Sequence, residues 1–485
     1  MNVNKAKAVL LAGSMLLSLV SCGNSAETET SLSSESASAS VAETDAEKVL
    51  FPDIEKQDYN GESFRMIGIR EAGIWAYGED YTSGQNLVLN DTLYEMNTTV
   101  EEYLGISIEY DYVPHITGES VVFDKVKPLI MAGDDAYQLC ILPAYRNVAS
   151  FVVQDCAMDF YNLPDLNFDR PYWKREVIES LKIGEHAYIA TGDLCYYQVY
   201  PIYCNKDLLT KVGRKIPYDT VRNGTWTLDE FLALSTDLYA DNGNGVVDNQ
   251  DTFGYTAVCD KNIDSFMQAS DIYVVTRHED GSFEFSLYND RMTNLYDKLY
   301  AWSKNASVYM WGWGDEINRT EDVVVDFLDS RTYFTQELLD TQFLSADFDF
   351  GILPLPKYDA VQETYAHVNW GDNLVVPCTV KNTDMVSQAL ELMSYYSRTT
   401  VMPEYYDGVL ELRVSDAPDD REMVELIYDT VVFDPGIAYC DGSTQLFNLV
   451  YLPSMCILSD QESITSYYVR NERSAKQYLT KKIYG

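Results

Sequence analysis

Between Phe64 and Leu142 the chain alternates strand and helix patterns, and this alternation restricts the fold more than any other stretch. FRMIGI (64–69) follows the turn residues Asn60-Gly61 and reads as a buried strand. A helix pattern begins near Asn90, where Leu93, Met96, Val100, Tyr103 and Leu104 recur at helical spacing and Gly105 supplies the stop. Ile106, Ile108, Tyr110 and Tyr112 then alternate along a strand that reaches Val113. A second helix spans 119–132 up to Gly133, and a third strand covers Ala136–Leu142. Such an order calls for parallel neighbours joined by right-handed crossovers. In sheets of this kind ligands sit beyond the carboxyl ends of the strands, which here means Arg70, Trp75, Tyr145 and Arg146.

With 485 residues the chain is too long for one core, so two lobes are expected. IGEHAYIATGDLCYYQVYPIYCNKDLL (183–209) is where the chain is expected to pass between them. Ile183 to Ala190 reads as a strand, a Gly-Asp turn ends at Asp193, and a tyrosine run follows, Tyr196, Tyr197, Tyr200 and Tyr203, of which Tyr196 is a candidate ligand contact. Asn205-Lys206-Asp207 then opens a helix, because a short polar side chain there can accept from free amide groups. Further on, Thr227 and Glu230 form a capping box, with Trp226 and Phe231 at the two positions of a hydrophobic staple. Strands are expected over 283–287, 331–338, 348–353 and 367–377, and helices over 291–300 and from Thr383, read as its cap, to Tyr396. The stretch 348–353 is read as the return crossing, and 401–485 as helical and aromatic.

The segment DNGNGVVDNQD (241–251) is rich in acids, amides and glycines, as calcium loops are. Aligned on Gly245, it offers Asn242, Asn244, Asp248 and Asp251 as ligands, but Ala240 falls where the first carboxylate belongs. The alternatives are a bound calcium ion and a rigid Asn/Gly turn; no other cofactor is expected.

The first 22 residues read as an export signal. Lys5 and Lys7 precede an apolar run, Ala8 to Val20, too short to span a bilayer, and Leu19-Val20-Ser21-Cys22 looks like a bacterial lipobox with Cys22 as the lipidated residue. Residues 23–49 form a Ser/Glu/Ala-rich tether that cannot bury enough apolar surface to fold. A formal net charge of −41 repels phosphate backbones, which argues against nucleic-acid binding. Eight cysteines remain beyond Cys22, without a C-x-x-C pair; export permits disulfides but buried thiols are equally compatible.

The ordered set IYCNKDLL (202–209), GTWTLDEFLALSTDLYADNGNGVVDNQDTFGY (224–255) and FDFGILPLPKYD (348–359), after a lipobox, resembles the extracellular solute-binding lipoproteins of ABC importers. The resemblance is to the large carbohydrate-type family that includes the maltose-binding proteins, and it extends over nearly everything from residue 50 onward. It implies an α/β, two-lobed, periplasmic-binding-protein-like fold of type II, with crossing strands and a central ligand cleft. The corresponding divisions are 50–193 for lobe 1, 194–350 for lobe 2, 351–400 for the return to lobe 1 and 401–485 for a helical C-terminal part of lobe 2.

The implied activity is capture of a carbohydrate and its delivery to permease subunits, by a monomer anchored at the outer face of the cell membrane, with no catalysis. By the same resemblance Tyr145 and Arg146 occupy a position that grips sugar hydroxyls, and Asp193 a carboxylate position of maltose-type binders. Gln336 stands where the family usually presents a cleft aromatic, so Trp311, Trp313 and Trp370 are the candidate substitutes. A sugar needs aromatic plates for its C–H faces and charged or amide groups for its hydroxyls; 38 tyrosines offer plates in abundance. The competing readings are a surface glycan-binding or sensor lipoprotein without transport, and an exported glycoside-processing enzyme. Against the enzyme, H-E-x-x-H, G-x-S-x-G and P-loop motifs are all missing from the sequence.

Overall fold

The computed structural model describes residues 49–69, 87–113, 121–145, 148–195, 197–278, 281–312, 319–339, 343, 345–405, 417–442, 444–461 and 463–483. Cys22, the leader and tether residues 23–48 lie outside them, as do Arg70, Trp75, Arg146, Tyr196 and Trp313. Among the described residues no helix is long and apolar enough to cross a membrane.

Two sheets organise the chain from Val49 onward. The described strands are β1 (Glu62–Ile69), β2 (Ile106–Val113), β3 (Leu139–Pro143), β4 (Ile202–Asn205), β5 (Phe253–Val258), β6 (Thr276–Arg277), β7 (Phe283–Glu284), β8 (Val308–Trp311), β9 (Thr332–Gln336), β10 (Phe350–Leu353), β11 (His367–Val368), β12 (Asp372–Val375) and β13 (Val431–Val432). The first sheet has the order β12-β3-β1-β2, and the second β10-β4-β9-β5-β8. β1 pairs parallel with both β2 and β3, as the alternating pattern of 64–142 requires, and β12 joins antiparallel to β3. The helices Leu87–Leu104 and Val121–Met131 supply the crossovers. Leu93, Met96, Val100 and Leu104 form the buried stripe of the first, and Gly105 ends it at φ +62°, a backbone state open to glycine.

In the second sheet β5 runs parallel to β8 and β9, while β4 is antiparallel to both β9 and β10. Asn205 caps the helix Lys206–Lys211 by accepting from the Leu208 N–H at 2.9 Å. The Thr227 N–H donates to Glu230 Oε2 at 3.4 Å, and the Trp226 and Phe231 rings meet edge to face with their centroids 5.9 Å apart. Carboxyl-terminal helices close this half: Leu452–Leu458 packs on Lys261–Ala269 and Asp290–Ser303, and Ile464–Tyr478 packs on Gln445–Val450.

Three expectations change. Ile183–Ala190 is not a strand: Ile183 and His186 exchange both backbone hydrogen bonds around a tight turn with Gly184 at φ +59°, and only Ala190 bridges to Leu374. The stretch 348–353 is not the crossing, because β10 remains in the second sheet beside β4; the chain regains the first sheet only at β12. Asn382, not Thr383, caps the helix Thr383–Tyr396, accepting from the Met385 N–H.

The passages between the sheets run side by side. Gln198 N–H donates to Asn369 Oδ1 at 2.9 Å, and Trp370 N–H to the Gln198 carbonyl at 3.0 Å. β11 pairs parallel with β13, so the segment 430–432 lies against the same strap.

Candidate functional site

Because β5, β8 and β9 are parallel, their carboxyl ends share one edge, and the antiparallel β4 begins at that edge. The residues next in sequence are therefore gathered there: Asp260 and Lys261 after β5, Glu337 after β9, and Tyr200 just before β4. Tyr145, two residues past β3, is the counterpart on the first sheet. The two edges meet. Lys261 Nζ donates to the Tyr145 hydroxyl at 3.3 Å and lies 4.7 Å from the Tyr145 ring centroid and 5.3 Å from that of Tyr200.

The electrostatics follow from this packing. Burial works against the Lys261 ammonium, but Tyr145, Tyr200 and Asp260 outweigh it and hold its pKa above the ordinary lysine value. Burial pushes the Tyr200 phenol up, with Lys261 pulling the other way and Glu337 and Asp260 adding to the rise. The result is an ammonium between two phenol rings, with Asp260 favouring its charge and Glu337 acting on Tyr200. Asp260 also accepts from the Asn262 N–H at the start of Lys261–Ala269, and Asn262 Nδ2 donates to the Gln336 carbonyl at 2.6 Å. That pair locks the helix start to the end of β9. Chemically, the cluster can accept hydroxyl protons, donate to oxygen and cover a flat apolar face.

The sites expected from sequence divide sharply. Tyr145 stands in the cluster. Trp370 is fully buried beneath it, its indole N–H donating to Ser265 Oγ at 2.9 Å and its ring 6.0 Å from Tyr145 and 5.4 Å from Tyr451. Gln336 is likewise buried, accepting from the Tyr255 hydroxyl and donating to the Tyr200 carbonyl. Both of these expected ligand contacts therefore have polar atoms engaged inside the fold. Trp311 ends β8 at the right edge, but its N–H is turned to Asp326 Oδ2 at 3.3 Å.

Asp193 is 2% exposed and pairs with Arg398 at 3.3 Å, while its carbonyl accepts from Ser397. Burial lifts its pKa to about 6 against the pull of Arg398 and Lys174. In this arrangement Asp193 fastens the passage to the segment after Thr383–Tyr396.

The 241–251 loop is closed by its own hydrogen bonds. Asp251 Oδ1 accepts from the Asn242 N–H, and Oδ2 accepts from the Tyr239 hydroxyl and the Asp248 N–H. Asn242 Oδ1 accepts from the Asn244 N–H, and Asn244 Nδ2 donates to Asp248 Oδ2. Bonds of this kind build an Asn/Gly turn, and among the described residues no group of three or more His, Cys, Asp or Glu is placed to hold a metal ion.

Asp260, Lys261 and Glu337 were not singled out from the sequence. The signal was available: the strand-end rule applied to 64–142 serves equally well for FGYTAV and TYFTQ, once those are recognised as parallel neighbours.

Comparison with known proteins agrees with this architecture. No curated protein matches the chain. Among solved structures it is similar to the ABC substrate-binding protein Lmo0181 from Listeria monocytogenes, in complex with cycloalternan, with a TM-score of 0.57 and 13% identity over 87% of this chain and 99% of that one. It is also similar to the maltose/maltodextrin-binding domain MalE from Bdellovibrio bacteriovorus, bound to maltotriose, with a TM-score of 0.56 and 13% identity over 86% and 100% of the two chains. A third is an ABC transporter solute-binding protein from Thermotoga lettingae, bound with α-D-tagatose (TM-score 0.54, 16% identity, 86% and 99%). The fold is thus the two-lobed type II periplasmic-binding-protein-like α/β fold. The family model for bacterial extracellular solute-binding proteins matches residues 87–402. With that match extending over most of the folded chain, the protein belongs to the bacterial extracellular solute-binding family.

Proposed function

We propose that this protein captures a carbohydrate between its two lobes and hands it, unaltered, to the permease subunits of an ABC importer. In this reading it is a monomer held at the outer face of the membrane by lipid on Cys22. The observation that carries the reading is the Tyr145–Lys261–Tyr200 stack, with Asp260 and Glu337 beside it, at the facing edges of both sheets. Two phenol rings suit the C–H faces of a pyranose, and the ammonium and carboxylates suit its hydroxyl rim. The sugars named in the three solved relatives support the same ligand class.

The test is a thermal-shift screen of mono- and oligosaccharides, followed by calorimetry on the best ligand and chromatography of the mixture. A binder raises the melting temperature by mass action. Lys261→Met and Tyr145→Phe are each expected to weaken that sugar about ten-fold or more, or ~1.4 kcal/mol. Shortened sugars in the mixture would replace the receptor reading with an enzymatic one. Unchanged affinity in both variants would remove the cluster from the site.

A further inference from the structure

After helix Val148–Val153 the chain turns back beside the segment that follows β12. Ala157 and Pro377 form an antiparallel bridge, flanked by Cys378 N–H donating to the Cys156 carbonyl at 2.9 Å and Met158 N–H to the Val376 carbonyl at 2.7 Å. This register sets Cys156 directly opposite Cys378. Opposed residues of an antiparallel pair stand about 4.5–5.5 Å apart at Cα, within the roughly 4.4–6.8 Å that a disulfide spans, and their side chains leave the same face. Cys156 is buried, with Sγ 3.3 Å from the Gln154 carbonyl, and Cys378 is exposed. No other two cysteines oppose each other across a described strand pair or bridge.

We infer that Cys156 and Cys378 are an oxidation site that closes into a disulfide at the root of the second lobe. The ring it closes contains β4 through β12, so it staples together the points where the chain leaves and rejoins the first sheet. The oxidant is a low-molecular-weight or protein disulfide. The exposed Cys378 thiolate attacks one of its sulfurs and one thiolate leaves; the Cys156 thiolate then attacks Cys378 Sγ and expels the second. Two cysteine thiols thereby lose two electrons and two protons, and the oxidant disulfide becomes two thiols. Burial raises the pKa of both cysteines, so the exchange quickens from neutral to mildly alkaline pH.

The test treats the full chain with oxidised glutathione at pH 7 and pH 8.5, then digests it without reduction for mass spectrometry. The expected result is a cross-linked pair of peptides carrying Cys156 and Cys378, formed faster at the higher pH, with a higher urea midpoint. Cys378→Ser abolishes the cross-link, and Cys156→Ser leaves a lasting glutathione adduct on Cys378. A lasting adduct on Cys378 in the unsubstituted chain, or a cross-link to any other cysteine, overturns the inference. Because Cys378 is exposed, its serine variant folds whether or not the buried Cys156→Ser does.

Discussion

His367 should make the hinge region acid-labile, and substituting it isolates the effect. The side chain is 1% exposed. Its Nε2 accepts from the Leu355 N–H at 2.9 Å, so the proton sits on Nδ1, 2.9 Å from Thr430 Oγ1. The Thr430 hydroxyl donates its own hydrogen bond to the Leu426 carbonyl. The ring thus ties together the stretch after β10, β11 and the residue before β13. Burial lowers its pKa from 6.5 to about 3. Between those values the unfolded chain binds a proton that the folded chain refuses, so stability is whole above pH 6.5 and drains as pH falls toward 3. At about 1.36 kcal/mol per pH unit, going from pH 6.5 to 4.5 removes ~2.7 kcal/mol through this residue alone.

Asp193 and Asp434 act in the opposite sense. Burial raises both to about 6, so each favours the fold more as pH drops through that range. The informative quantity is therefore a difference between variants. His367→Gln keeps an acceptor for the Leu355 N–H but cannot titrate. Urea unfolding of both proteins at pH 7.0, 5.5 and 4.5 should show the variant weaker at pH 7 and its deficit shrinking by ~2.7 kcal/mol at pH 4.5. A deficit constant across the three pH values would refute a neutral, buried His367.

Asp420 is 2% exposed and accepts from Lys206 Nζ at 2.6 Å, the Tyr218 hydroxyl and the Ile352 N–H at 2.9 Å. Asp420→Ala should cost ~3–5 kcal/mol in urea unfolding by stranding a charge and a strand amide, and Asp420→Asn less. Gly254 in the interior strand β5 leaves no room for a methyl group, which would sit 1.9 Å from the Ser235 carbonyl oxygen. Gly254→Ala should therefore lose ~1–3 kcal/mol or more, read as a lower urea midpoint; an unchanged midpoint would show that the Ser235 backbone yields freely. Chelation with EDTA followed by millimolar calcium should leave the melting temperature unmoved, since Asp251 is already bonded within its own loop. A calcium-dependent rise would mean that the turn opens to take the ion.

Local patterning carried the first sheet. Phe64, Met66, Leu93, Val100 and Ile106 repeat at strand and helix periods because each element buries one face, and the structure returns these elements nearly residue for residue. The second sheet was only half legible. FGYTAV is buried at every position, so it shows no alternation, and VYMW is four residues long. Missing those strands hid Asp260 and Lys261, and with them the lobe-two side of the candidate site.

Sequence alone determined the parallel α/β character, the turn chemistry at Asn205 and Thr227 and the strand-end position of Tyr145, because each depends on neighbours within a few residues. Tertiary structure decided what the isolated residues do. Gln336, Trp370 and Asp193 have the right chemistry for a ligand, yet their partners come from Tyr255, Ser265 and Arg398, between 81 and 205 residues away. Hydrogen bonding of a buried polar group is settled by which distant segment arrives beside it, and no local pattern encodes that arrival.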